Sequence, residues 1–277
     1  MGDPAQTPER KPVEDTSLLV ERRGAIEIVS LNRPDRLNVL DEGLAFALAD
    51  YFEGLRARED VRVIILRAEG RGFCAGLDLA SWQNDGSRGA LQYAWYLQRS
   101  ITGIIKAMRQ CPQPIIALGH GAACGAGFSL LLASDVRYAA PDLRMNAAYI
   151  KVGLGGCDVG SSYFLPRLVG ASVAAEYLLT GKFMDAAKAA SCGLVSEIVE
   201  KDALLDKGLE LADAMLATAP MGLRLTKAAF DRNLDARNLE DAMAVEDRQQ
   251  VMMLLSEDFQ EAVAAFGEKR QPNYRDR

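Results

Sequence analysis

The sequence has a single histidine, His120, among its 277 residues. A Ser–His–Asp triad would depend on this residue, and a lone histidine at a strand end is more typical of a hydrogen-bonded core position. Residues 119–135, GHGAACGAGFSLLLASD, also lack a dinucleotide fingerprint, because Cys124 stands where G-x-G-x-x-G requires its third glycine. G-x-S-x-G is missing too, since leucines follow Ser129. Neither a triad hydrolase nor a Rossmann protein is indicated.

Cysteines are few, and none is arranged as C-x-x-C. Their odd number and wide spacing favour free thiols in a reducing cytosol over a disulfide framework or a zinc site. The five are Cys74, Cys111, Cys124, Cys157 and Cys192. We therefore expect no metal centre.

The sequence also lacks a basic excess and a long apolar run. Its net charge is −6, from 32 basic and 38 acidic residues, which gives no general attraction to nucleic acid or to an anionic membrane. No apolar stretch approaches the length of a membrane span, and residues 1–16 lack the apolar core of a signal peptide. We expect a cytoplasmic protein with a disordered leader at residues 1–16, and neither a nucleic-acid nor a membrane partner.

Strand and helix patterns alternate along the first 200 residues, which predicts an α/β core. Strands are predicted on both sides of Gly24, in VRVIILRAEG (61–70), in IIALG (115–119) and in DVRYAA (135–140), with helices between them. Beyond residue 202 only helical patterns remain, at 204–216, 221–230, 239–254 and 256–266. The predicted division is a core at residues 17–200 and a helical C-terminal segment at 201–277.

Two turns of small residues, each after an apolar strand, are candidates for chemistry by the main chain. Gly125-Ala126-Gly127 begins a helix, where N–H groups have no intrahelical partner and the helix dipole favours negative charge. The loop RGFCAGLDLA (71–80) could supply another free N–H. Two such donors can stabilise a developing oxyanion. The alternative is that small residues only allow the helix to pack closely on the sheet.

Five segments in order carry a resemblance to a known family: LNRPDRLNVLD, RGFCAGLDL, GHGAACGAGFSLLLASDVRYAA, LPRLVGASVAAEYLLTGKFMDAAKAASCGLVSEIV and AFGEKRQPNYRDR. Together they resemble the enoyl-CoA hydratase/isomerase (crotonase) family over residues 18–277. The resemblance implies a crotonase-like spiral of β-β-α units with a helical C-terminal oligomerisation segment that builds trimers, often paired into hexamers. It also implies an acyl-CoA thioester as substrate, so that coenzyme A enters with the substrate and no separate cofactor is expected.

The resemblance places the two oxyanion donors on the amides of Ala75 and Ala126. The second position is usually glycine in the family, and the added methyl group could narrow the acyl pocket. The two glutamates of the hydratase pattern are replaced here by Ser129 and Tyr149. Hydration by a glutamate pair is therefore not expected, and these two residues are assigned to substrate binding or packing.

Asp158 is the best remaining acid. Its placement is similar to that of an aspartate in the dienoyl-CoA isomerase branch, whereas the aspartate of the naphthoate synthase branch would align with Gly156. A carboxylate at a helix start is held ionised by nearby N–H groups, which suits a base. The alternative is that Asp158 is only a helix N-cap.

The resemblance also implies residues that contact coenzyme A. They are Arg33, Arg36 and Leu37 in an N-terminal turn, Gly76, Leu77 and Asp78 in the second loop, and Phe266 and Lys269 near the C-terminus, which can act on a neighbouring subunit. For the last two, the alternative is a helix stopped at Gly267 and followed by a solvated basic tail.

One carboxylate and an oxyanion hole are the minimum for moving a double bond. We therefore expect enoyl- or dienoyl-CoA isomerisation. The alternatives are an enoyl-CoA hydratase that uses Asp158 and water, and a CoA-ester binding or assembly subunit with weak or no catalysis.

Overall fold

The computed structural model describes residues 16–277, so the predicted leader lies outside the described residues except at Thr16. The strands in this part are β1 Leu18–Arg23, β2 Ile26–Leu31, β3 Val63–Ala68, β4 Ile115–Gly119, β5 Ala122–Cys124, β6 Val136–Ala139, β7 Arg144–Asn146, β8 Met184–Asp185 and β9 Glu197–Ile198. The helices are α1 Glu42–Gly54, α2 Ala90–Gln110, α3 Ala126–Ala133, α4 Ser161–Val169, α5 Ala171–Thr180, α6 Ala186–Ser191, α7 Leu204–Leu216, α8 Pro220–Asn233, α9 Leu239–Leu254 and α10 Glu257–Glu268.

The strands form two sheets. The larger has the order β1-β2-β3-β4-β6-β9, with β1 antiparallel to β2 and the other pairs parallel. The smaller has the order β5-β7-β8. Because β3 and β4 are parallel neighbours, the loops that follow them leave the same edge of the sheet and can meet there.

Both faces of the large sheet are covered, which explains why its central strands are nearly continuous apolar runs. Val29 and Leu66 lie in the core shared with α1, α2 and α3, whereas Ile28 and Ile65 face the opposite side. That second face packs against Leu204 and other apolar residues of α7. The first helix of the predicted C-terminal segment thus completes the core of the sheet.

A network of charged residues joins α8 to this core. Lys227 lies 2.9 Å from Asp135 and donates to the Gln113 carbonyl at 2.8 Å, while Arg109 lies 2.7 Å from the other oxygen of Asp135. Burial by itself raises the pKa of Asp135, but the charges of Lys227 and Arg109 outweigh it and hold the pKa below its usual value. Arg109 also pairs with Asp231 on α8.

The α/β prediction is confirmed, and α9 occupies the predicted residues 239–254. The helix α10 continues through Gly267 to Glu268, and its C-cap residue Lys269 adopts a positive φ of 55°. The alternative of a stop at Gly267 is therefore wrong. The short strands β5, β7, β8 and β9 were not predicted. Within residues 16–277, none of the helices is both long enough and apolar enough to cross a membrane.

Candidate active site

The loop after β3 and the turn after β4 are joined by main-chain hydrogen bonds. The Cys74 amide donates to the Ala122 carbonyl at 3.0 Å, and the Cys124 amide donates to the Cys74 carbonyl at 2.9 Å. Gly127 then lies directly on Cys74, since a Cβ added to this glycine would be 2.1 Å from the Cys74 carbonyl oxygen. The two small-residue turns predicted from the sequence therefore meet.

The prediction for Ala75 is contradicted, because its amide is already used. It donates to the Leu37 carbonyl at 3.0 Å, which removes it as a donor for a ligand. Two residues later the chain pairs with Leu40: the Leu40 amide donates to Gly76, and the Asp78 amide donates to Leu40. In such a parallel pair, the N–H of Leu77 points away from Leu40. No acceptor for it exists among residues 16–277.

The amide of Ala126 is also available. Ala126 is the first residue of α3, and its N–H has no hydrogen-bond acceptor in the part of the chain that the structure describes. Gly76 brings the two loops together, because its φ of +104° suits glycine and a Cβ there would lie 3.9 Å from the Ala126 nitrogen. The pair of free amides at this contact is thus Leu77 and Ala126.

Ser129 and Tyr149 form a neutral pair beside this turn. Their hydroxyl groups are 3.4 Å apart, both side chains are buried, and the Tyr149 ring packs next to Gly125. Burial raises the pKa of Tyr149, and the charge of Asp158 raises it further, whereas the hydroxyls of Ser129 and Ser161 oppose the shift. Tyr149 is therefore an un-ionised phenol at neutral pH and can donate or accept a hydrogen bond there.

Asp158 lies near this pair, half-buried in the loop before α4. Its Oδ1 atom accepts from the Val159 amide at 2.8 Å and from Gln98 Nε2 at 2.5 Å. The N-cap residue of α4 is Gly160, and the cap receives no side-chain hydrogen bond. The helix-cap alternative for Asp158 is therefore wrong. At Gly156, a Cβ would lie 2.1 Å from the Leu178 carbonyl oxygen, so an aspartate does not fit at that position.

The predicted coenzyme A residues of the N-terminal half lie together. Arg33 pairs with Asp41 at 2.9 Å, and the exposed Arg36 pairs with Asp78 at 3.0 Å. The Asp78 carboxylate is almost fully buried, so it anchors the arginine-bearing turn instead of offering a free contact. Leu37 joins this turn to the second loop through its carbonyl, as described above.

Sequence reasoning missed Asn38, which fixes the same turn. Its side chain is fully buried, accepts from the Arg33 amide at 2.7 Å, and donates to the carbonyls of Glu69 and Gly72, both at 2.9 Å. Its positive φ of 53° is a conformation that asparagine tolerates well. The sequence signal for this role was the asparagine at the end of the turn RPDRLN.

The predicted residues Phe266 and Lys269 lie apart from the contact between the two turns. Phe266 is 88% exposed and Lys269 is exposed at the end of α10, and no hydrogen bond or ion pair within residues 16–277 connects either to the Arg33 turn. His120 is buried and hydrogen-bonded to the Gly70 carbonyl at 3.0 Å, which confirms the core interpretation. Over the described residues, no group of His, Cys, Asp and Glu side chains could hold a metal ion.

Known proteins similar to this chain share one family description. The family model described as enoyl-CoA hydratase/isomerase matches residues 21–277. A probable enoyl-CoA hydratase of Mycobacterium tuberculosis is 37% identical over 264 residues, covering 94% of this chain and 93% of that protein. The 1,2-epoxyphenylacetyl-CoA isomerase of Escherichia coli is 30% identical over 246 residues, covering 89% and 93%. The crystal structure of a probable enoyl-CoA hydratase/isomerase from Mycobacterium abscessus superposes with a TM-score of 0.87 at 35% identity, covering 95% of this chain and 100% of that one.

The fold and the two facing turns define a crotonase-type α/β protein. The chain belongs to the enoyl-CoA hydratase/isomerase family and is an acyl-CoA enzyme of that family.

Proposed function

We propose that this enzyme shifts a carbon–carbon double bond in an enoyl- or dienoyl-CoA. The N–H groups of Leu77 and Ala126 bind the thioester oxygen, and Asp158 transfers the proton. The observation that carries the proposal is that a neutral Ser129–Tyr149 pair stands where the hydratase pattern has two carboxylates, while Asp158 lies beside that pair.

Two free amides at the contact of the turns support an oxyanion hole. When a proton leaves the substrate carbon, negative charge develops on the thioester oxygen, and both donors strengthen their hydrogen bonds to it. Removing one donor from such a hole typically costs about 100- to 1,000-fold in rate. Because main-chain amides do this, the hole needs no particular side chain at positions 77 and 126.

The acid–base step then needs a single carboxylate. Asp158 takes a proton from carbon, which breaks a C–H bond, forms an O–H bond and leaves the enolate. The same carboxylic acid returns that proton to a different carbon, so the double bond moves and Asp158 is again ionised. Tyr149 cannot serve as the base in this step, since its raised pKa keeps it neutral.

The coenzyme A portion is assigned to the turn beside the second loop. Arg36 is exposed and can reach phosphate oxygens, while Arg33, Leu37 and Gly76 shape the turn and loop around them. Phe266 and Lys269 complete the site in this proposal, from the same chain or from a neighbouring subunit of a trimer or hexamer. The assembly acts in the cytoplasm.

Hydration is the second candidate function. It is favoured by the relatives named enoyl-CoA hydratase and by the Ser129–Tyr149 hydroxyls, which can hold a water molecule near Asp158. The third candidate function is a CoA-ester binding or assembly subunit. It differs from the two enzymatic candidates in that the protein would bind acyl-CoA esters without turning them over.

The test is to incubate the protein with 3-enoyl-, 2-enoyl- and 3,5-dienoyl-CoA and to separate the products. Double-bond migration supports the proposal, hydration of the 2-enoyl ester alone replaces it by the second candidate, and binding without any turnover supports an assembly role. Asp158→Asn should lower the rate of isomerisation about 100- to 10,000-fold. The matched control is Asp206→Asn, an exposed acid on α7, which should retain the full rate. Unchanged turnover in Asp158→Asn would remove this residue from the mechanism.

A further inference from the structure

Gln98 connects the helix α2 with the loop that carries Asp158. It is an exposed residue on the N-terminal half of α2, and its Nε2 atom donates to Asp158 Oδ1 at 2.5 Å. An ionised carboxylate can only accept hydrogen bonds, so the amide group must present its nitrogen to Asp158. Gln98 is not part of any motif described in the sequence analysis above.

The two oxygens of Asp158 have different surroundings. Oδ1 accepts from both Gln98 and the Val159 amide, whereas Oδ2 has no hydrogen-bond donor among residues 16–277. An oxygen that already has two donors is a weaker proton acceptor than its unbonded neighbour. The geometry thus distinguishes Oδ1, which two donors hold, from Oδ2, which no donor among residues 16–277 holds.

The loop before α4 is rich in glycine. Residues 153–158, GLGGCD, include three glycines, and added Cβ atoms at Gly153 and Gly155 would meet no other group within 4 Å. By contrast, α2 is anchored one turn after Gln98 by Ile101 and by further buried residues toward its C-terminus. The hydrogen bond from this helix therefore adds, to the local support of the Val159 amide, a contact that fixes the Asp158 carboxylate from outside its own loop.

We propose that Gln98 is a positioning residue, which fixes Asp158 through Oδ1 and leaves Oδ2 to exchange the proton with the substrate. The inference rests on the proposed function of Asp158 as the base. It assigns Gln98 no contact with the reacting carbons. Its effect should therefore appear in kcat, with KM nearly unchanged.

Substitutions at Gln98 separate positioning from packing. Gln98→Leu removes the donor, and the loss of a hydrogen bond to a charged group should lower kcat about 10- to 100-fold. Gln98→Glu keeps the shape but places a second carboxylate against Oδ1, so its kcat should fall further than that of the leucine variant. A packing role gives the opposite order, with glutamate close to the original enzyme. Gln92→Leu is the matched control on the same exposed half of α2 and should retain its kcat.

The decisive measurement repeats Gln98→Leu in an Asp158→Asn background. If Gln98 acts through Asp158, the second substitution lowers the residual rate no further. An equal loss in both backgrounds, a normal kcat in Gln98→Leu, or a near-normal kcat in Gln98→Glu would each overturn the inference. Full turnover by Asp158→Asn alone would instead refute the proposed function, so the two failures are distinguishable.

Discussion

Replacing Gly127 by alanine tests whether the two turns must touch to make the site. The new methyl group would lie 2.1 Å from the Cys74 carbonyl oxygen and 2.7 Å from the Cys74 Cβ atom. Real Cβ contacts are essentially never shorter than 3.0 Å, so the start of α3 has to move away from the loop after β3 by about 1 Å.

That displacement has two measurable consequences. A shift of about 1 Å between reacting groups can cost about 100-fold in rate, because the thioester oxygen no longer fits both amides. Overpacking a core typically destabilises a protein by about 1–3 kcal/mol. Replacing glycine by alanine inside a helix stabilises the protein by about 1 kcal/mol, which offsets part of that loss. We therefore expect a loss of kcat of about 100-fold and a net loss of up to about 2 kcal/mol in the free energy of unfolding.

Gly103→Ala is the matched control, since Gly103 lies inside α2 and a Cβ there meets nothing within 4 Å. This variant should gain about 1 kcal/mol in the free energy of unfolding and keep its rate. Urea unfolding and initial rates with the acyl-CoA ester that proves to be the substrate provide both readouts. A Gly127→Ala enzyme as fast and as stable as the control would refute the reasoning from the contact of the turns.

The charged network under α8 supports two predictions about stability. Lys227→Met leaves Asp135 with one ion-pair partner in the described residues, Arg109, and with the hydrogen bond from the Ile115 amide. It should lower the free energy of unfolding by about 3 kcal/mol, measured by urea unfolding, with normal activity of the folded fraction. Unchanged stability would contradict the role given to the Lys227–Asp135 pair. Because the folded-state pKa of Asp135 lies below its usual value, its contribution to stability is present above about pH 4 and is lost as the pH falls further. Unfolding free energies measured from pH 6 to pH 3 should show this loss, and the same loss in an Asp135→Asn variant would assign it to other groups.

Much of the fold could be predicted because its elements are long and periodic. The helix at 239–254 and the buried run of β3 give clear patterns over many residues. The strands β5 and β7 have three residues each, which is too short for a period to be visible. They nevertheless build the second sheet, and β5 brings the turn of Ala126 onto the loop after β3.

The sequence indicated that the two turns lie together, but not which main-chain amides remain free where they meet. The small residues in RGFCAGLDLA indicate free amides, yet which amide is free depends on Leu37 and Leu40, which lie in a different part of the chain. Pairing with Leu37 uses the Ala75 amide, and pairing with Leu40 turns the Leu77 amide outward. Such partners are fixed by tertiary structure, and no local pattern reports them.

The separation of the proposed oxyanion donors from the proposed acid–base groups would explain how this chain can differ from the hydratase pattern and keep its site. The donors are main-chain atoms held by contacts such as that of Gly127 with Cys74, so they tolerate changed side chains nearby. The Ser129 and Tyr149 hydroxyls lie 3.4 Å apart and form a neutral hydrogen-bonded pair, so they bring no charge to the positions where the hydratase pattern has two carboxylates. The carboxyl group beside that neutral pair is Asp158, on a different loop. In the proposed function the proton is therefore exchanged by a carboxylate on a different loop, which is the reason for expecting a different reaction on the thioester.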